Sequence, residues 1–218
     1  MLVSIIVNFI PIIIAITLHE IAHGYAAYKC GDNTAKRLKR LSFNPIHHID
    51  LAGTLIIPTI LLLSKTGFIF GWAKPVPVNF NNLRHPKQDT LIVASAGIIT
   101  NIFLAIISAL LLKLAPYIDH KLIQGIITLF LINMVIFNIV LAVFNSLPIP
   151  PLDGSKILLG WSENKYIQKF LNSYRQGTLF IIIIAFLLPM IARYFGYEFN
   201  PFGYYIIKVS RTIIGWLI

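Results

Sequence analysis

A chain of 218 residues that is 57% hydrophobic, with mean hydropathy +0.78, is too apolar for an ordinary soluble domain, where roughly 45–50% is typical. Its formal net charge of +10 suggests nucleic acid, but the basic residues lie in loops between apolar runs, as in membrane proteins, so nucleic acid is excluded as a partner. A single cysteine, Cys30, excludes an intrachain disulfide.

Residues 2–28 predict a first spanning helix with Pro11 as its kink. The run lacks the basic n-region and small-residue cleavage site of a secretory signal, so it reads as a retained span. A basic loop follows, with Lys29, Lys36, Arg37, Lys39 and Arg40 against Asp32. Residues 51–63 are apolar but only 13 long and interrupted by Pro58; as helix they cover ~20 Å, short of the ~30 Å hydrocarbon core. The stretch FIFGWAKPVPVNF is rich in aromatic and β-branched residues, and Pro75 and Pro77 forbid a helix interior there. Residues 91–115 and 122–145 predict a second and a third span, separated by the polar turn PYIDH. A polar stretch with Lys156, Lys165, Lys169 and Arg175 leads to a fourth span, 178–192, with Pro189 near its end. The tail, 202–218, is suited to spanning or to lying in the interface.

The charge distribution orients these elements. The loops at 29–50, 74–90 and 154–176 hold five, three and four Lys/Arg, which places all three in the cytoplasm. That requires residues 51–73 to enter the membrane and return on the same side, as a re-entrant hairpin with a short β-like segment. The expected fold is therefore an all-α polytopic membrane protein of about four to five transmembrane helices plus that hairpin. It forms one membrane-embedded domain over residues 1–218, with a core over about 1–160 and C-terminal helices over about 177–218.

The densest chemistry lies in the first span, at His19-Glu20-Ile21-Ala22-His23. Histidines four apart share one helix face, about 6 Å from each other, and can bind one Zn²⁺. Glu20 falls beside the metal, where a carboxylate can take a proton from a bound water. Paired histidines on a helix are commonly structural. Ionisable groups at membrane depth are costly, however, and mark a functional site by default. A catalytic zinc needs three protein ligands and an open position. On this topology the third span ends on the same side as the histidines, so Asp153 is the best third ligand. Read by spacing alone, Asp153 serves equally as a turn or cap aspartate. Prolines 148, 150 and 151 stop the helix before it, and Gly154 permits a sharp turn. Cys30 lies seven residues beyond His23, too far to join the same metal unless the helix breaks. The cluster His47-His48-Ile49-Asp50 reads as a hydrogen-bonded loop rather than a second metal site. Asn101 is a buried amide in a span and needs a partner; it either fixes helix packing or contacts substrate.

The chain resembles the site-2 protease family, the intramembrane zinc metalloproteases, and especially compact bacterial members without a PDZ domain. The resemblance rests on HEIAHGYAAYKCGDNTAKR at 19–37, LSFNPIHHIDLAGT at 41–54, FGWAKPVPVN at 70–79, ASAGIITN at 94–101 and NIVLAVFNSLPIPPLDG at 138–154, in the family's order. It implies one Zn²⁺ per chain held by His19, His23 and Asp153, with Glu20 as catalytic base and Asn145 as a substrate-binding or oxyanion-stabilising residue. It further implies transmembrane protein substrates in the lipid of a bacterial cell membrane, and says nothing of oligomeric state. Three positions depart from the family pattern: Ile98 after Gly97 and Leu51 after Asp50 where proline is common, and Ser155-Lys156 after Gly154. None removes a ligand. The rival readings are a metal-ion transporter, which calls for several ligand clusters along one path, and an inactive relative, which would have lost Glu20 or a ligand.

Overall fold

The computed structural model describes residues 2–56, 59, 73–162, 164–171 and 173–218. Its helices are α1 (Leu2–Lys29), the single turn α2 (Thr34–Arg37), α3 (Pro86–Leu112), α4 (Lys121–Asn145), α5 (Asp153–Trp161), α6 (Lys165–Leu171), α7 (Tyr174–Ile182), α8 (Leu188–Tyr194) and α9 (Pro201–Leu217). A π-helical stretch, Ile183–Leu187, joins α7 to α8. No strand occurs among the described residues. Four helical segments are long and apolar enough to cross a membrane: Ile6–Lys29, Pro86–Tyr117, Lys121–Asn145 and Tyr174–Tyr194. The all-α polytopic expectation holds. α1 runs unbroken through Pro11. The π stretch immediately precedes Pro189, whose missing N–H disturbs the regular helical ladder.

The core is a bundle of α1, α3 and α4 packed on one another. Ala105 and Ala109 of α3 meet Val135, Ile139 and Val143 of α4, and Ile206 of α9 joins them. The small residues let the helix backbones approach, which is how helices associate where lipid is as apolar as leucine. Asn133 of α4 donates to Val7 O of α1 at 2.7 Å, and further along Asn101 bonds both Ala15 O of α1 and Asn138 of α4, so these two helices run the same way. The Arg84 N–H donates to Cys30 O at 3.1 Å, bringing the start of α3 to the end of α1. The ends Lys29, Pro86 and Asn145 thus share one end of the bundle, the end carrying the basic loops.

Most of the expected re-entrant hairpin, residues 57–58 and 60–72, lies outside the described residues. Its two flanks are described, and they meet. The Lys74 N–H donates to His48 O at 2.8 Å, so the described residues on either side of that stretch lie together. Residues 73–79 have neither helical nor ladder bonding. Their backbone is held by side chains instead. Arg40 donates to Lys74 O at 3.0 Å and Pro75 O at 3.2 Å. Glu20 accepts from Val76 N at 2.8 Å, and Asp32 from Asn79 N at 2.7 Å.

Asp32 is the anchor of this strap. It is wholly buried and accepts further hydrogen bonds from Thr34 N at 3.0 Å, the Thr34 hydroxyl and Asn82 Nδ2 at 2.9 Å. Burial opposes its ionisation, but the bonds from Thr34, Asn82 and Asn79 outweigh that and hold its carboxyl below the usual range. A depressed native pKa stabilises the fold above the unfolded value of about 3.9, and this contribution is lost as pH falls through the native value. Asp32→Ala is expected to cost about 1–3 kcal/mol at neutral pH. Thermal unfolding in detergent checks this, and the gap between variant and parent should narrow as pH drops below about 4.

Candidate active site

His19 and His23 lie one turn apart on α1 and both are buried. Their Nε2 atoms are 3.0 Å from each other. Asp153 Oδ2 is 3.2 Å from His19 Nε2 and 3.0 Å from His23 Nε2. The carboxylate is likewise buried. His19, His23 and Asp153 are the one such cluster found among the described residues.

The opposite ring nitrogens fix which tautomer each imidazole adopts. His23 Nδ1 lies 2.7 Å from Val93 O, a backbone carbonyl that can only accept. His19 Nδ1 lies 2.6 Å from Asn101 Oδ1, and the Asn101 Nδ2 is committed to Asn138 Oδ1 at 2.8 Å and Ala15 O at 3.3 Å. Both Nδ1 atoms therefore carry a hydrogen, and in the neutral imidazoles that ligate a metal both Nε2 atoms present lone pairs. Two imidazole lone pairs and a carboxylate oxygen converge with no hydrogen to share among them. Such a set repels itself in an apolar bundle and fits a divalent cation of zinc's ligand preference, with three protein donors and room for a fourth ligand on the cavity side.

Local sequence builds this geometry. After Asn145 the prolines at 148, 150 and 151 end α4. The chain folds back through bonds from Ile149 N to Leu147 O and from Leu152 N to Ile149 O. Asp153 is then the first residue of α5. Gly154 acts by close approach: a Cβ there would collide with Ser146 O, while its φ is not positive. Gly97 has a matching role on α3, where a Cβ would lie 2.5 Å from His19 Cε1 and 2.5 Å from His23 Nε2. Only a glycine lets α3 lie against both rings.

A cavity of about 720 Å³ opens at the cluster, and Glu20, Val76, Asn145, Asp153, Lys156 and Thr178 are among its lining residues. Glu20 is half-buried, with Oε2 held by Val76 N. Asn145 stands on the wall and donates one amide hydrogen to Leu141 O at 3.0 Å. Lys156 Nζ is 3.4 Å from Asp153 Oδ1, the oxygen turned away from the histidines.

The structure brings together His19, His23, Asp153, Glu20 and Asn145 as the spacing and resemblance suggested. Asn101 is different. Its side chain is wholly buried, does not line the cavity and bonds His19, Asn138 and Ala15, which favours the packing reading of the two. The second histidine cluster does not converge: His48 Nε2 faces Ser42 O at 2.9 Å, Asp50 caps Gly53 N at 2.7 Å, and His47 is exposed. Sequence reasoning missed the Val93 carbonyl and Asn138. The first carries no side-chain signal; the second stands out as an amide in an otherwise apolar span. Gly97→Ala is expected to drive the imidazoles apart and weaken divalent-metal binding by about tenfold or more while the helices persist. Metal titration with circular dichroism on one sample checks both.

The comparisons with known proteins agree with this geometry. A model described as "Peptidase family M50" matches residues 114–190. The protein named "Putative zinc metalloprotease YwhC" of Bacillus subtilis is 40% identical over 184 residues, 83% of this chain and 80% of its own. "Putative zinc metalloprotease Rip2" of Mycolicibacterium smegmatis is 26% identical over 184 residues, covering 84% of this chain and 67% of that one. No solved structure matches. An identity of 40% across most of both chains leaves one assignment: this chain belongs to peptidase family M50, the site-2 protease family of zinc metallopeptidases.

Proposed function

We propose that this chain is an intramembrane protease that hydrolyses peptide bonds within or beside transmembrane segments of other membrane proteins. One observation carries the reading: the His19–His23–Asp153 cluster is buried between helices long and apolar enough to span, at the wall of a largely apolar cavity that also holds Glu20. A site built to cut soluble peptides has no reason to lie among spanning helices. The basic loops set its open end at the cytoplasmic face of a cell membrane, and residues 1–218 act as one membrane-embedded domain.

His19 and His23 through Nε2, and Asp153 through Oδ2, would hold the zinc. When bound, the zinc polarises the scissile carbonyl and lowers the pKa of a water to near neutrality. Glu20 takes the proton of the attacking water and later returns it to the leaving amine. The Val76 N–H fixes one Glu20 oxygen, which leaves the other to face the cavity and reduces the wandering of the base. Asn145 keeps one amide hydrogen beyond its bond to Leu141 O, and that hydrogen can meet negative charge developing on the carbonyl oxygen.

A helical substrate bonds its own N–H and C=O groups internally, so it must unwind to expose a peptide bond. The 73–78 segment supports an unwound strand on the cavity wall. Pro75 and Pro77 lack N–H groups, the Lys74 and Val76 N–H groups are bonded to His48 O and Glu20, and Arg40 holds the Lys74 and Pro75 carbonyls, so strand addition would use the other carbonyls of the segment. Single-span membrane proteins are the substrate class this geometry suits.

Glu20→Gln is expected to keep zinc and lose at least ~100-fold in cleavage of single-span proteins in detergent or liposomes. Asp153→Ala is expected to lose the metal as well, read by metal analysis of the purified chain. Cleavage undiminished in Glu20→Gln defeats the proposal.

A further inference from the structure

Asn138 is wholly buried in α4 and lies outside the cavity. A buried amide in an apolar bundle is costly unless its groups are bonded, and the direction of its bonds carries information. The backbone carbonyl of Met134 can only accept, and Asn138 Nδ2 donates to it at 2.8 Å. Asn138 Oδ1 is thereby turned the other way, where it accepts from Asn101 Nδ2 at 2.8 Å. Asn101 Oδ1 is turned in its turn toward His19 Nδ1 at 2.6 Å. An oxygen at that place demands hydrogen on Nδ1 and leaves the lone pair on Nε2, facing His23 and Asp153. Flipping either amide would set donor against donor or acceptor against acceptor in a site without solvent. The order is thus read from an immovable carbonyl on α4, through α3, to the imidazole on α1.

We infer that Asn138 is a positioning residue for His19: acting through Asn101, it fixes the tautomer in which the imidazole offers Nε2 to the metal. The inference rests on the reading of His19 as a zinc ligand. Partners that orient a ligating histidine typically change metal affinity by 10–100-fold when removed. Asn101 also bonds Ala15 O, but at 3.3 Å, so losing Asn138 weakens the constraint without abolishing it, and the lower end of that range applies.

Zinc affinity of the full chain in detergent, measured by competition with a chromophoric chelator, tests this. Asn138→Leu is expected to raise the zinc Kd about tenfold. Asn138→Asp, kept neutral by its apolar surroundings, donates its O–H to Met134 O and keeps an acceptor facing Asn101, and should stay near the parent. Because the effect passes through Asn101, adding Asn138→Leu to Asn101→Ala should weaken zinc binding little beyond Asn101→Ala alone. A merely structural Asn138 gives additive losses and no rescue by aspartate. Should Asn138→Leu not fold, Asn138→Ala gives the same reading. Unchanged affinity in a folded variant, or additive loss in the double variant, overturns the inference. A parent that binds zinc yet cleaves nothing sinks the proteolytic reading and leaves this one standing; a parent that binds no zinc sinks His19 as a ligand and this inference with it.

Discussion

Three lone pairs aimed at one another inside an apolar bundle are the constraint on which this molecule depends. His19, His23 and Asp153 stand 3.0–3.2 Å apart with their Nδ1 hydrogens spent elsewhere. The three groups are buried, and desolvated polar groups are expensive when unpaired. A cation turns that cost into a gain. It also explains why two spans far apart in the chain, α1 and the end of α4, must be held in one register.

The rest of the architecture answers to that register. Three prolines end α4 so that Asp153 can turn inward, and Gly154 lets α5 close on the carbonyls of Ser146 and Leu147. Gly97 removes the side chain that would collide with both imidazoles. Helix α3 supplies the Val93 carbonyl and Asn101, one partner for each ring. All three helices of the bundle therefore contribute to a site whose histidines come from α1 and whose carboxylate comes from the start of α5. Membrane helices tolerate such polar cross-links only where every member is satisfied, because lipid offers no substitute partners.

A second linkage joins the base to the wall of the cavity. Segment 73–79 has no ladder of its own, yet Arg40, Glu20 and Asp32 hold its backbone at successive points. Glu20 is at once the proton carrier of the proposed reaction and a clamp on the surface where an unwound substrate would lie. Displacing that surface moves the base, which ties substrate positioning to proton transfer through a single hydrogen bond.

Much of this was legible in the residues. The spacing of His19 and His23 and the apolar runs are local properties, and they suffice for the shared helix face and for the spans. Family resemblance then singled out Asp153 from two equal readings. The helix boundaries of the fourth span and the π stretch before Pro189 were not legible, since they follow from one missing N–H and its packing. Nor was the orientation of any amide. Asn101 read as a packing residue ahead of a substrate residue, but its sequence neighbours do not say which helix it faces. Sequence by itself determined which side chains share a helix face and which runs are apolar enough to span, because periodicity and composition act within a single element. Tertiary structure alone decided which nitrogen of each imidazole is free, since that depends on carbonyls and amides delivered by other helices across the bundle.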